Sequence, residues 1–361
     1  PAGATTDNNN QMASVGWHCR LLPIKSSIDL SPQIYRGYQG IVAAADMGAH
    51  FINCAWGGSI KGRFGEDAVN YAVINKGAAV IASGGNTPIE VAFYPASFHN
   101  VMSVTGSENQ DAFWTTDPGF GSSYHHLADL CAPAEGIWTT ASHTGMIFST
   151  GTSLSSPIVC GAAGLVKDVH PTYTNEQAAQ RVRVAADPAI YGINSATYTD
   201  KMGRGRVDCY NALVDSSPSV RILEVEYDDH DDHLLQVGDT VDVKVRFANF
   251  LNAAEMLNIS LSTPDWGQFE VIHSDVYVGD LGTMDTASTW LAPFKLVVRS
   301  GTPEGFTGHL KFTYQGTDYD DWEYYPIQTA PAYVHVDANR LETTINGVGR
   351  WGYTSFPALN R

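Results

Sequence analysis

Residues 78–86 read AAVIASGGN. The apolar run is too short for a helix and is closed by a Gly pair, so it predicts a fully buried strand, Ala78–Ala82. A strand without polar alternation is covered on both faces, as in a parallel sheet. The flanking sequence agrees. His50–Ala55 (HFINCA), Val101–Thr105 and Cys19–Lys25 (CRLLPIK) read as strands of the same kind. Between them, Ser31–Met47 carries Ile34, Tyr38, Ile41, Val42 and Ala45 at helical spacing, and Gly65–Lys76 carries Ala68, Tyr71, Ala72 and Ile74. Ser155–His170 reads as a small-residue helix that stops before Pro171. Thr174–Ala186 follows, with Gln177 three residues after Thr174 in a capping-box pattern. Strand and helix alternate, which predicts an α/β, doubly wound, mostly parallel sheet.

The texture changes near residue 215. Val220–Tyr227, Thr240–Asn249, Met256–Ser262, Phe269–Val278, Trp290–Val298, Gly308–Gln315 and Ala332–Asp337 read as short strands. Val241, Val243, Val245 and Phe247 share one face of theirs. Short strands at such spacing predict an all-β immunoglobulin-like sandwich. The expected organisation is an α/β domain over 1–215, the linker Ser216–Ser219, the sandwich over 218–338, and 339–361 as a polar tail or the start of a further segment.

Composition narrows the function. The chain has 361 residues, 43% hydrophobic, enough for a packed core and too apolar for disorder throughout. Its 21 Lys+Arg against 38 Asp+Glu give a net charge of −17, which argues against a nucleic-acid partner. No apolar run approaches the roughly 18–20 residues of a membrane-spanning helix. The first residues, PAGATTDNNN, lack the basic and apolar regions of a secretory leader. Five scattered cysteines fit no zinc spacing; they read as small buried hydrophobes, with room for one disulfide and at least one thiol left over.

The chemistry sits in Gly151-Thr152-Ser153-Leu154-Ser155-Ser156-Pro157. A Ser after Gly at the mouth of a helix exposes its hydroxyl, and the helix start favours an oxyanion there. Pro157 is expected in the first turn, where no N–H is needed. Asn86, at the end of the strand Ala78–Ala82, is expected to reach the crevice of an open α/β sheet, where its amide can donate to the same oxyanion. Asn53-Cys54-Ala55-Trp56-Gly57-Gly58 offers an extended edge to a peptide.

These residues, with Tyr94-Pro95-Ala96, Gly121-Ser122-Ser123-Tyr124, Asp129-Leu130-Cys131-Ala132-Pro133 and the closing Gly203–Leu213, resemble the subtilisin family of serine peptidases in order and spacing over about 3–214. The resemblance implies peptide-bond hydrolysis through an acyl-enzyme on Ser153, with Asn86 and the Ser153 N–H as oxyanion hole. It implies that Ala55, Trp56, Gly57 and Ser83, Gly84, Gly85 line the substrate cleft, and that Phe93 makes a shallow P1 pocket. The substrate is then a peptide or protein, and the location secreted or cell-surface.

The family's Asp motif (D-[ST]-G) and His motif (H-G-T-x-V-A-G) do not occur in these residues; Asp46-Met47-Gly48 is a faint echo on the wrong element. His18, His50, His99, His125, His126, His143 and His170 lack the motif's context. The catalytic Asp and His are therefore expected from an N-terminal segment of the same protein, cleaved or separate, and this chain alone is expected to be inactive. No cofactor is required for that chemistry. A structural Ca2+ is expected at Asn8 and Asn10, by resemblance, and at the acidic turn of Asp229 and Asp231, which also reads as a solvated hairpin. Asp318–Tyr325 (DYDDWEYY) reads as an acid-guarded edge strand or a partner surface. The rival functional reading is a non-catalytic surface or assembly component of subtilase fold.

Overall fold

The computed structural model describes residues 1–331 apart from 30, 32, 118 and 142–144, and beyond them the backbone of Tyr333–Ala338, Leu341–Asn346 and Trp351–Gly352. The chain divides into two compact units. The first holds Pro1–Arg221 together with Asn249–Ala254 and Asp280–Asp285. The second holds Ile222–Ala248, Glu255–Gly279 and Thr286–Arg361.

In the first unit, β1 (Phe51–Cys54), β2 (Ala79–Ser83), β3 (Val101–Ser107) and β4 (Leu130–Pro133) form a parallel sheet in that order. Val80 pairs with Ile52 on one side and Val101 on the other. Side chains alternate between two cores. Ala79 and Ile81 enter the layer of α3 (Thr152–Val169) and α4 (Asn175–Val184). Val80 and Ala82 enter the layer of α1 (Gly37–Asp46) and α2 (Arg63–Asn70). Helices on both faces explain why β2 and β3 are buried at every position. The capping box of α4 forms as expected: Gln177 N–H donates to Thr174 Oγ1 at 3.1 Å, and Thr174 N–H to Gln177 Oε1 at 2.8 Å.

Three expectations are corrected. Cys19–Lys25 is not a strand. It lines, with β1, α1 and α3, a groove of about 1950 Å3. A strand needs a ladder partner, and the groove separates this segment from β1, the end strand of the sheet. The helix expected over 31–47 starts only at Gly37, because Tyr35 and Arg36 direct their N–H groups to the Ser26 carbonyl. Pro157 is not in the first turn. α3 begins at Thr152, so the proline is its sixth residue and removes the helical bond to the Ser153 carbonyl.

The second unit contains two larger antiparallel sheets. One has β5 (Val220–Asp228), β6 (Thr240–Asn249), β8 (Phe269–His273), β10 (Thr286–Ser288) and β11 (Phe294–Val298). The other has β7 (Ala254–Ser262), β9 (Asp275–Leu281), β12 (Thr307–Gly316) and β13 (Tyr319–Gln328). Phe247 of the first meets Phe312 and Tyr314 of the second at centroid distances of 6.0 and 5.9 Å, so the sheets face each other across an aromatic core. The strand expected over Phe269–Val278 is two strands, one in each sheet. The ladder slips between Val271 and His273, and Ser274 carries the chain across. β13 is an edge strand as expected, but its acids do not all guard the outside. Asp321 and Glu323 are buried, and Glu323 Oε1 accepts from the Ile222 N–H and the Tyr314 hydroxyl. The strand expected over 332–337 forms at Tyr333–Ala338 and pairs with Leu341–Asn346, which pairs in turn with Trp351–Gly352, in a separate small sheet. Among the described residues no helix is long and apolar enough to cross a membrane.

Candidate active site

Ser153 is the second residue of α3, where a backbone N–H has no partner within the helix. The residue is half-buried, and its hydroxyl donates to the Ala55 carbonyl at 3.2 Å. Among the described residues that carbonyl is its hydrogen-bond partner; no imidazole bonds to it, and His143 lies outside the described residues.

Asn86 is brought to the same place from the end of β2. Its Oδ1 accepts from the Thr152 N–H at 2.9 Å and from the Thr152 hydroxyl at 2.8 Å. With the oxygen doubly held, the Nδ2 donor is the end of the amide left for a ligand. A Cβ placed on Gly151 would sit 3.2 Å from Nδ2, so the glycine keeps the space beside the donor open. Gly151 also has φ +147°, in the region glycine favours. Thr152 is a functional residue that sequence reasoning missed. Its only hint there was its position between Gly151 and Ser153.

The cleft walls follow from the strand ends. Ser83, Gly84 and Gly85 are buried and leave β2 toward Asn86, with the Gly84 N–H held by the Val104 carbonyl at 2.8 Å. Ala55 and Gly57 leave β1. The Trp56 ring turns back onto α1, against Tyr38 at 5.3 Å and onto the bare Gly37, leaving its backbone to the cleft. The Phe93 ring lies between the walls: a Cβ on Gly57 would be 2.4 Å from its Cε1, and one on Gly85 3.1 Å from its Cδ2.

Gly85 has φ +108°, and an added Cβ would sit 2.7 Å from Ser123 Oγ. That oxygen is not free to move, since it donates to the Thr87 carbonyl at 2.7 Å and accepts from the Thr87 N–H. Gly85→Ala is therefore expected to cost about 1–3 kcal/mol, read as a fall in the first unit's thermal midpoint. An unchanged midpoint would show that the turn relaxes.

The expected metal residues are placed as follows. Asn8 and Asn10 are exposed, and Asn8 Oδ1 accepts the Asn10 N–H at 3.1 Å. Asp229 is grouped with Asp228 and His233, their ligand atoms within 4.8 Å of one another. Asp231 enters instead through its N–H, which donates to Asp229 Oδ1 at 3.0 Å. The Lys244 ammonium, 2.7 Å from Asp228 Oδ2, is the main cause that holds the Asp228 carboxyl down to about 2. A lysine already supplies the positive charge beside that carboxylate.

Comparison with known proteins bears on this geometry. The peptidase S8 family, described as the subtilase family, matches residues 2–208. Thermitase of Thermoactinomyces vulgaris is 29% identical over 214 residues, covering 59% of this chain and 71% of thermitase. A thermophilic serine proteinase of a Bacillus species is 32% identical over 213 residues, of which the chain spans half the length. The chain spans 42% of a thermostable alkaline protease of Halalkalibacterium halodurans. Among solved structures, a protease of Pseudoalteromonas arctica superposes with a TM-score of 0.51 at 20% identity, covering 59% of this chain and 68% of that one, which is a likeness of fold.

Proposed function

This chain belongs to the subtilase family, and we propose that it is the nucleophile-bearing part of a serine endopeptidase. The observation that carries the proposal is the Asn86–Thr152–Ser153 constellation, which sets a hydroxyl and an amide donor at the mouth of one helix. Ser153 Oγ attacks the scissile carbonyl. The Ser153 N–H and Asn86 Nδ2 hold the oxyanion, and Ala55–Gly57 and Ser83–Gly85 take the peptide in extended form.

The proton acceptor comes from elsewhere in this proposal. An N-terminal segment of the same protein supplies the Asp and the His, and it seats an extended strand in the groove beside β1. Two features support that occupant. β1 ends a parallel sheet of the kind that is buried on every side, and the groove runs along it between α1 and α3. The second unit is proposed as an immunoglobulin-like sandwich, and the whole protein as secreted or cell-surface. A structural Ca2+ at the Asn8–Asn10 loop, whose donors are the hard oxygens that ion takes, belongs to the same reading and has no part in the reaction.

The test is Asn86→Ala in the protein assembled with its Asp/His segment. Turnover is expected to fall about 10²–10³-fold with KM little changed, the size of loss that removing this donor causes in subtilisin itself. Equal turnover in the variant would remove Asn86 from the oxyanion hole.

A further inference from the structure

All five cysteines are free thiols, and three of them, Cys19, Cys54 and Cys160, line the groove outside the catalytic constellation. Cys160 stands on α3 with Gly161 and Gly164, residues without side chains on which another segment can lie flat. Residues 16–19 do so. A Cβ on Gly161 would be 2.9 Å from the Gly16 nitrogen, and one on Gly164 would be 2.5 Å from Cys19 Sγ. Positions 160 and 164 are four apart on the helix, so their Cβ sites are neighbours at about 5–6 Å. Cys19 Sγ therefore rests about one turn from Cys160, the neighbourhood in which a disulfide can be sought. Both residues are half-buried and line the groove, so a small reagent has a way in.

The other thiols are placed differently. Cys131 is fully buried in β4. Cys54 also lines the groove, and burial and then the nearby Cys160 push its thiol up to about 12, but it is 1% exposed in the core layer of α1, whereas Cys19 and Cys160 are half-buried. Cys209 packs on the α3 layer among the residues after position 207. Burial and the neighbouring Cys19 push the Cys160 thiol up to about 12. Cys19 is raised too, by burial and then by Asp168.

We propose that Cys19 and Cys160 form a modification site that closes to an intramolecular disulfide, with a small organic disulfide as the oxidant. With oxidised glutathione, the Cys19 thiolate attacks one glutathione sulfur and expels a glutathione thiolate, leaving a mixed disulfide. The Cys160 thiolate then attacks Cys19 Sγ and expels the second glutathione thiolate. The two protons lost by the cysteines end on the two glutathione thiols. The two electrons the cysteines give up reduce the glutathione disulfide. The bridge would pin residues 16–19 to the helix that carries Ser153 in its first turn, and it would close a long loop, the case in which a cross-link restricts the unfolded chain most.

The 361-residue chain is incubated with oxidised glutathione, alkylated without unfolding, and mapped by mass spectrometry. The expected product has lost two hydrogens and carries the Cys19 peptide joined to the Cys160 peptide. Its thermal midpoint is expected to stand roughly 5–10 °C above that of the reduced chain. Cys160→Ser is expected to stop at glutathionylated Cys19, and Cys19→Ser to gain neither bridge nor midpoint. A wild-type chain that also stops at glutathionylated Cys19 would overturn the proposal. So would one that joins Cys160 to Cys54, or one whose thiols do not react.

Discussion

Mixed with a polypeptide that carries an Asp and a His able to reach residue 153, this chain is expected to take up a fluorophosphonate at Ser153. Alone it is expected to stay unlabelled. The argument is about where one proton can go. A serine hydroxyl is a weak nucleophile near neutral pH and needs a base within about 2.6–3.2 Å. At that distance Ser153 Oγ has the Ala55 carbonyl, at 3.2 Å. A carbonyl oxygen can accept the hydrogen bond but cannot hold the proton, nor return it to a leaving amine. An imidazole does both. In subtilisin itself, loss of that base lowers turnover about 10⁶-fold, so the difference between the chain alone and the assembled pair is expected on that scale for a peptide substrate. Ser153→Ala in the pair should remove labelling altogether. Labelling of the chain alone would mean that one of its own histidines serves as base. An assembled pair that refuses the label would favour the scaffold reading, in which the fold is kept and the chemistry is not.

Much of this was legible because burial writes itself into composition. β1 and β2 are apolar at all but one position each and β3 is buried throughout, since both faces of the sheet are covered, and their places were read within two residues. What failed was whatever depended on a distant partner. Cys19–Lys25 has the composition of a strand, but a strand also needs a ladder, and local sequence does not say whether one is adjacent. The start of α3 was read three residues late because Gly151, its N-cap, offers no side chain. Ser155 was read as the first helical residue. It is instead inside the helix, its hydroxyl turned to the Ala132 and Pro133 carbonyls. Asn86 was identified from its place after a strand. Its orientation by Thr152 was not, because the two are 66 residues apart. In β13 the alternation of Asp321 and Glu323 looked like an outward polar face. Glu323 is satisfied by partners elsewhere in the chain, the Tyr314 hydroxyl and the Ile222 N–H, while Asp321 accepts from the neighbouring Tyr319 hydroxyl and Trp322 N–H.

Phe93→Gly is expected to change which peptides the assembled protease cuts. The ring is wedged between the two backbones that line the cleft, in contact range of where side chains on Gly57 and Gly85 would be. Its backbone is held in place. The neighbouring Tyr94 exchanges both backbone hydrogen bonds with Gly58, at 2.9 and 2.7 Å, and the Phe93 N–H is held by Ser97 Oγ at 3.0 Å. A P1 side chain entering between Ala55–Gly57 and Ser83–Gly85 therefore meets the ring early. Small or medium residues such as Ala fit, while Phe or Arg must displace it. Removing the ring opens space for a large apolar group, and each methylene buried in such a pocket favours its substrate by about 1–3 kcal/mol. The ratio of kcat/KM for a Phe against an Ala P1 peptide should rise about 100-fold or more in Phe93→Gly. Phe93→Ala, which leaves a smaller void, should shift the same way by less, and a thermal midpoint on each variant separates lost folding from altered choice. A wild-type protein that already prefers Phe or Arg at P1 would show that the pocket lies elsewhere. A ratio unmoved by both substitutions would show the same, because the ring abuts the side-chain positions of both glycines, and its removal must be felt by anything that binds there.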